Sequence, residues 1–334
     1  MKDTKKSYAI FAKNKKSSII KNSILIFLIL LVCYLLRASL KEALIKISET
    51  KFHVVLIIMV LSIMYQIFDG CIVTKTLRTC DNTFSYKNGI RCSYYYSFFR
   101  VVTFGSGTAL AGMYYANKYG IPLHNSFGIF TLNYMFQKVV ITIYFLVAYV
   151  LNIGIMKRMY SSFNRYILMG TLISSVVAIS LITICTCERV HLLIFNIFDK
   201  FIKNDRFLNK IGDLKEKSGL LRKSSKEILK NKRLVISLII LNVIKLTCWY
   251  MIPFIILKDE AEVHFFISIV FSSMVTALSG IIPCPGGVGS TEFVILLVFA
   301  PLVGKTSALS LAILYRAFTY LFPFIIGIFT IKSS

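Results

Sequence analysis

Two charged residues sit where an apolar chain should carry none. Arg316 lies inside Leu309 to Phe329, too far from either end of that run for its side chain to reach water. A cation at such depth is costly unless it has a partner or a wet cavity, which makes it a functional candidate. Glu292 is the natural partner. One reading is a structural Glu292–Arg316 ion pair. The other has Arg316 meeting an anionic headgroup phosphate, helped by the backbone N–H groups of a helix that starts after Gly289. Glu292 closes Ile281-Ile282-Pro283-Cys284-Pro285-Gly286-Gly287-Val288-Gly289-Ser290-Thr291-Glu292. Two prolines remove N–H donors and three glycines tolerate positive φ, so no helix runs through it. Ser290 and Thr291 are expected to supply N-cap oxygens to the next helix, with Glu292 near its positive end. Irregular backbone at membrane depth survives only against protein or a wet cavity, so Gly286, Gly287, Gly289, Ser290, Thr291 and Glu292 are candidate binding residues. A plain helix-breaking turn at the membrane surface is the alternative.

Other polar residues are hidden in apolar sequence. Gln137 and Lys138 are candidates for the same phosphate-binding work, and Lys245 sits in mid-span beside Asn242 and Trp249. Arg100 is placed at the mouth of an inner hairpin, where it would collect phosphate from the cytoplasmic leaflet, while Tyr94-Tyr95-Tyr96 reads as an interfacial aromatic belt. No catalytic constellation emerges, because the four histidines have no carboxylate or cysteine at ligand or triad spacing. Gly-Gly-Val-Gly-Ser-Thr lacks the lysine of a nucleotide loop and follows no strand. The eight cysteines show no metal spacing and read as free thiols. No cofactor and no metal is expected.

The elements that must position these residues are membrane spans. The chain has 334 residues, 56% of them hydrophobic, with runs such as Tyr166 to Cys187 and Leu234 to Leu257 that are apolar all round. The expected fold is all-α: a polytopic transmembrane helical bundle with two re-entrant hairpins forming an inverted repeat. The formal charge of +24 suggests nucleic acid until its placement is read. Lysine and arginine crowd particular loops, which is the positive-inside pattern of a multi-pass protein with a cytoplasmic N-terminus. Residues 1–18 form that basic N-terminus and 19–331 the transmembrane domain. Within it, 188–233 forms a cytoplasmic basic loop, 13 Lys or Arg against 6 Asp or Glu, with an amphipathic helix from His191 to Leu214. Spans are expected from Ile19 to Leu36, Phe52 to Phe68, Phe127 to Ile155, Tyr166 to Cys187, Leu234 to Leu257 and Ser307 to Ile331. A surface helix fits Arg37 to Lys51, and Asp69 to Arg100 reads as a cytoplasmic loop.

The parity of these crossings requires two segments to enter and leave on one side. They are Tyr94 to Pro122, opening inward, and His264 to Val303, opening outward. Gly105-Ser-Gly107-Thr precedes Gly120 by the spacing that separates Gly289 from Gly304. Oppositely oriented hairpins, each leading into a long span with a hidden cation, are the mark of an inverted repeat with a midplane site. Chance similarity between glycine-containing apolar segments is the alternative.

Ile282 to Glu292, followed by Leu314-Tyr315-Arg316-Ala317-Phe318-Thr319-Tyr320-Leu321-Phe322-Pro323, resembles the paired C-terminal motifs of the lysylphosphatidylglycerol synthase transmembrane region. This flippase-like membrane domain is found in bacterial multiple peptide resistance factors and in stand-alone relatives. The likeness covers about Ile19 to Ile331. It departs from the pattern in the first hairpin, where Phe104 replaces a proline. The resemblance implies movement of aminoacylated phosphatidylglycerol or another phospholipid between leaflets of the plasma membrane, and a link to antibiotic resistance. It assigns Gly286, Gly287, Gly289, Glu292 and Arg316 to the central cavity. By its length the chain is expected to lack the soluble domain that gives the family its phosphatidylglycerol lysyltransferase label, and so not to be an enzyme on its own. Two alternatives stay open: an enzyme acting on a lipid-linked phosphate, and a subunit that works with a separate cytoplasmic or membrane synthase.

Overall fold

A computed structural model describes residues 34, 37–154, 164–186, 228–259, 263–282, 284, 287 and 289–332. The basic N-terminus, the first expected span up to Leu36 apart from Tyr34, the amphipathic segment His191 to Leu214, and Gly286 lie outside the described residues. All regular structure among the described residues is helical.

The helices are α1 (Arg37–Glu49), α2 (Phe52–Leu77), α3 (Tyr86–Val102), α4 (Thr108–Lys118), α5 (Leu123–Leu151), α6 (Asn164–Thr186), α7 (Lys232–Leu257), α8 (Phe265–Ser279), α9 (Ser290–Arg316) and α10 (Phe322–Lys332). A π-helical turn, Ala317–Leu321, joins the last two. Their starts follow local chemistry. Ser85 Oγ accepts the Asn88 N–H at 3.2 Å ahead of α3, and Asn231 Oδ1 accepts that of Leu234 at 3.1 Å ahead of α7. Among the described residues, four helices are long and apolar enough to cross a membrane: Phe52–Leu77, Asn125–Leu151, Lys232–Leu257 and Ser290–Ile331. The last is broken at Gly304, whose φ of 79° and ψ of 162° stop the helix before it resumes.

The burial pattern suits a lipid solvent. Leu56, Ile57, Val60, Leu146 and Val150 face outward, while Ser62, Gln66, Ser93, Ser97, Asn242 and Ser272 are buried. Those polar side chains tie helices together. Gln66 Nε2 donates to Ser97 Oγ at 3.2 Å, Ser93 Oγ to Gln66 O at 3.0 Å, and Ser272 Oγ to Tyr250 O at 3.2 Å. Between apolar helices in lipid, such bonds and small residues replace the hydrophobic driving force. α2 and α3 meet so closely that a Cβ on Gly70 would lie 2.5 Å from Ile90 Cα.

Packing joins the chain's two halves reciprocally. α2 lies against α7, α3 against α10, and α8 against α5. α1 packs on α9, while Lys51 and Asp259 pair at 2.9 Å, bringing two distant links to one end of the bundle.

The stretch read as a cytoplasmic loop from Asp69 to Arg100 is corrected. α2 runs on to Leu77 and α3 begins at Tyr86, leaving only a short turn. The charges that suggested a loop are accommodated: Lys75 donates to Ser237 Oγ at 2.7 Å, and Arg78 Nε to Phe84 O at 2.8 Å. Tyr94 and Tyr95 are buried in the core rather than in an interfacial belt.

Candidate functional site

The site is built where α2 and α7 cross. Tyr65 and Trp249 stack face to face, with centroids 3.6 Å apart and planes 6° from parallel. One turn along, Lys245 Nζ pairs with Asp69 Oδ1 at 3.0 Å, and Asp69 Oδ2 accepts the hydroxyl of Tyr96 from α3. This pair is deeply buried, with Lys245 2% and Asp69 13% exposed. It fixes how the two helices meet.

Beside that crossing lies a cluster of cations. Arg100 Cζ sits 5.8 Å from the Trp249 ring centroid and 5.4 Å from that of Tyr320. Arg316 Cζ lies 4.6 Å from the Tyr320 centroid. Arg100 shows no carboxylate partner among the described residues; aromatic faces hold it instead. Its position corrects the expected one. α3 starts at Tyr86, so Arg100 lies about 21 Å along it at 1.5 Å per residue, next to the turn at residues 103–107. It stands at the tip of the first hairpin, not at its mouth.

Arg316 and Glu292 do form an ion pair, through Arg316 Nη1 and Glu292 Oε1. Glu292 Oε2 accepts the N–H of Gly289 at 2.9 Å and so caps its own helix. This replaces the expected caps, because Ser290 and Thr291 hydroxyls donate to Gly287 O at 3.2 and 3.3 Å and tighten the glycine turn. Gly287 and Gly289 have φ of 69° and 87°, which a Cβ would strain. Arg316 is only 8% exposed, yet its Nη2 has no hydrogen-bond partner among the described residues. Trp249 Nε1 and the Tyr320 hydroxyl are also buried and unpartnered there. Three donor groups around Arg100 thus have no hydrogen-bond partner among the described residues.

Gln137 and Lys138, on α5, approach from the other side. Gln137 lies beside the Tyr65 hydroxyl, and Lys138 is near enough to Arg100 for their charges to interact. Lys138 lines a pocket of about 30 Å³ with Thr142, Ser174, Thr276 and Gly280. No described carboxylate pairs with it, and the Tyr134 ring centroid lies 5.5 Å away. Arg100, Glu292 and Arg316 are therefore drawn together around Tyr320, with Gln137 at Tyr65 and Lys138 within range of the Arg100 charge. Gly105 and Gly107 instead shape the tip behind Arg100: Gly105 N–H donates to Arg100 O at 2.7 Å, and Gly107 N–H to Thr103 Oγ1 at 2.8 Å.

Asp69, Tyr65 and Tyr320 were missing from the sequence candidates. A usable signal was present in Tyr65-x-x-x-Asp69 and Lys245-x-x-x-Trp249, two aromatic–charge pairs each separated by one helical turn. No group of three His, Cys, Asp or Glu that would hold a metal occurs among the described residues.

The lysylphosphatidylglycerol synthase TM region family matches residues 19–327, nearly the whole chain. The chain belongs to that family. No curated protein matches it. Within this lysylphosphatidylglycerol synthase TM region, Arg316 and Glu292 touch each other, the ion pair that one of the two readings of these residues describes.

Proposed function

We propose that the protein is a lipid flippase of the plasma membrane, moving an anionic or aminoacylated phospholipid such as lysylphosphatidylglycerol between leaflets, with its N-terminus cytoplasmic. One observation carries the reading: the buried, unpartnered N–H of Arg316, beside Arg100, Trp249 and Tyr320, is a place prepared for a phosphate. The headgroup is taken up at this cluster while the acyl chains stay in lipid.

Element lengths support two re-entrant hairpins. At 1.5 Å per residue, α3, α4, α8 and the 290–303 part of α9 measure between about 17 and 26 Å, all short of a ~30 Å hydrocarbon core. Each pair meets at a glycine-containing break. Gly105 and Gly120 have φ of 90° and 84°, and Gly289 and Gly304 have 87° and 79°, so the two halves bend in the same way at the same spacing.

The α2–α7 crossing supports an inverted repeat. Both helices have 26 residues, and aligning their starts matches Tyr65 with Lys245 and Asp69 with Trp249. Exchanging the helices then turns the Tyr65–Trp249 contact into the Lys245–Asp69 contact. A twofold axis between antiparallel helices has this property, and it lays the site on the axis.

The test is reconstitution in liposomes containing acyl-labelled phosphatidylglycerol and lysylphosphatidylglycerol, following access of the label to membrane-impermeant dithionite. Protein-dependent exchange is expected for at least one lipid. Arg316→Ala should abolish it while the protein still purifies as a folded species, and normal exchange in that variant would sink the assigned role.

A further inference from the structure

We infer that Lys138 is a built-in cation: its ammonium stands in for a monovalent metal ion at an oxygen-lined pocket on the C-terminal end of α8, so lipid exchange needs no added ion. The effect on exchange rests on the flippase reading; the pocket and its charge preference do not.

Three helices build the place. Lys138 and Thr142 come from α5, Ser174 from α6, and Thr276, Ala277 and Gly280 from the end of α8. A Cβ added to Gly280 would lie 2.8 Å from Lys138 Nζ, 3.3 Å from Thr276 O and 3.6 Å from Ala277 O. The ammonium and two of the last carbonyls of α8 thus border one spot, which glycine leaves open. The last four carbonyls of a helix have no partner within it and carry the negative end of its dipole. In transporters, the C-terminal ends of interrupted helices are where coupling cations bind.

The pocket's side chains have the same polarity. Thr142 Oγ1 donates to Lys138 O at 3.0 Å, Ser174 Oγ to Ala277 O at 3.3 Å and Thr276 Oγ1 to Ser272 O at 2.9 Å. With its one hydrogen committed, each hydroxyl has only lone pairs left to offer. Such a lining suits a cation and disfavours an anion. Its volume of about 30 Å³ exceeds the ~10–15 Å³ that a water-sized guest requires, which admits a bare alkali ion.

Lys138 differs in this from Arg316, which has a carboxylate partner. An unpaired charge in mid-span is costly, and the nearby Arg100 charge adds to the cost. The α8 carbonyls and the three hydroxyl oxygens offset it. In return the ammonium neutralises their lone pairs and keeps a metal ion out.

The experiment measures exchange of the acyl-labelled lipids in sodium chloride and in choline chloride at equal ionic strength, choline being too large for the pocket. The unaltered protein should run equally in both salts. Lys138→Ala removes the charge and vacates its volume. It should be about 10-fold slower in choline and recover in sodium. Lys138→Met removes the charge but fills the space, so it should be slow in both. Adding Thr276→Val to Lys138→Ala takes away one hydroxyl oxygen and should weaken the recovery. Sodium dependence of the unaltered protein, or a Lys138→Ala rate indifferent to sodium, would overturn the inference.

Thermal unfolding in detergent tests the pocket without transport. Sodium chloride, compared with choline chloride, should raise the Tm of Lys138→Ala by a few degrees and leave the unaltered protein and Lys138→Met unmoved. No sodium-specific rise in Lys138→Ala refutes the pocket as a cation site. A rise there, with no lipid exchange from any of the folded proteins, upholds the site and defeats the flippase reading instead.

Discussion

The molecule holds two intramembrane ion pairs that look alike on paper and differ in what they leave unsatisfied. At Lys245–Asp69 the anion is saturated, its second oxygen taken by Tyr96, and the pair joins the long helices of opposite halves. At Arg316–Glu292 the pair lies within one half, Glu292 is 26% exposed, and Arg316 keeps a donor in reserve. The first pair closes a seam; the second leaves a donor without a partner among the described residues. A buried charge pair therefore reveals its role through its spare valences rather than through its depth.

The comparison breaks most visibly at the seam. Asp69→Ala strands the Lys245 ammonium in the core, and losing one partner of a buried pair costs about 3–5 kcal/mol. Thermal unfolding in detergent should show the largest drop in Tm of any single change discussed here. At the cluster, Arg100→Gln keeps a polar side chain and removes its charge. Lipid exchange should fall by about 10-fold or more, in line with ~1.5–3 kcal/mol for a hydrogen bond to a charged group, while Tm shifts little. A large Tm loss with normal exchange would reverse the roles assigned to the two regions.

Apolar replacement sharpens the contrast. Asp69→Leu with Lys245→Met removes both desolvation penalties, and such exchanges are often neutral or stabilising by about 1–4 kcal/mol. Exchange activity should largely survive this double change. Glu292→Leu with Arg316→Met, comparable in stability, should leave the protein inactive. Similar activity from both double variants would remove the distinction.

The exposed Lys51–Asp259 pair supplies the smallest effect. Lys51 hydrogen bonds to the Asp259 carboxylate and holds its pKa below the ordinary value. Because the folded pKa is depressed, the pair's contribution is present above the unfolded value of about 3.9 and is lost as pH falls through the folded one. Tm should thus be insensitive to Lys51→Ala, and between pH 5 and 7 (about the range well above that value) this pair should add no pH dependence.

How much was legible in the sequence follows from which signals are local. The membrane class, the break at Pro283 to Gly289, the reach of α8 and the burial of Arg316 can each be read from a short window. Apolar runs, glycine and proline, and one misplaced cation are sufficient there. The Glu292–Arg316 pairing was legible because an intramembrane cation has few candidate anions. Asp69 was misread because charge density was taken as a sign of a loop, although its partner Lys245 lies 176 residues away. The depth of Arg100 depended on where α3 starts, which the Ser85 cap fixes and hydropathy does not. Phe104, where a proline was expected, takes a φ of 49°, the only positive value outside glycine among the described residues. The first hairpin thus turns through a strained Phe104 next to Gly105, where the described residues of the second take positive φ only at glycine.

The chain contains one tryptophan, and that indole is Trp249, stacked on Tyr65 with Arg100 above it. All of the protein's tryptophan emission therefore originates at the contact between its two halves. No label needs to be introduced to watch that contact. Any rearrangement that slides α2 past α7 must unstack the rings and change the indole's surroundings, so the colour and lifetime of the intrinsic emission form a clock for the seam. A stopped-flow trace on mixing with lipid would time that motion directly.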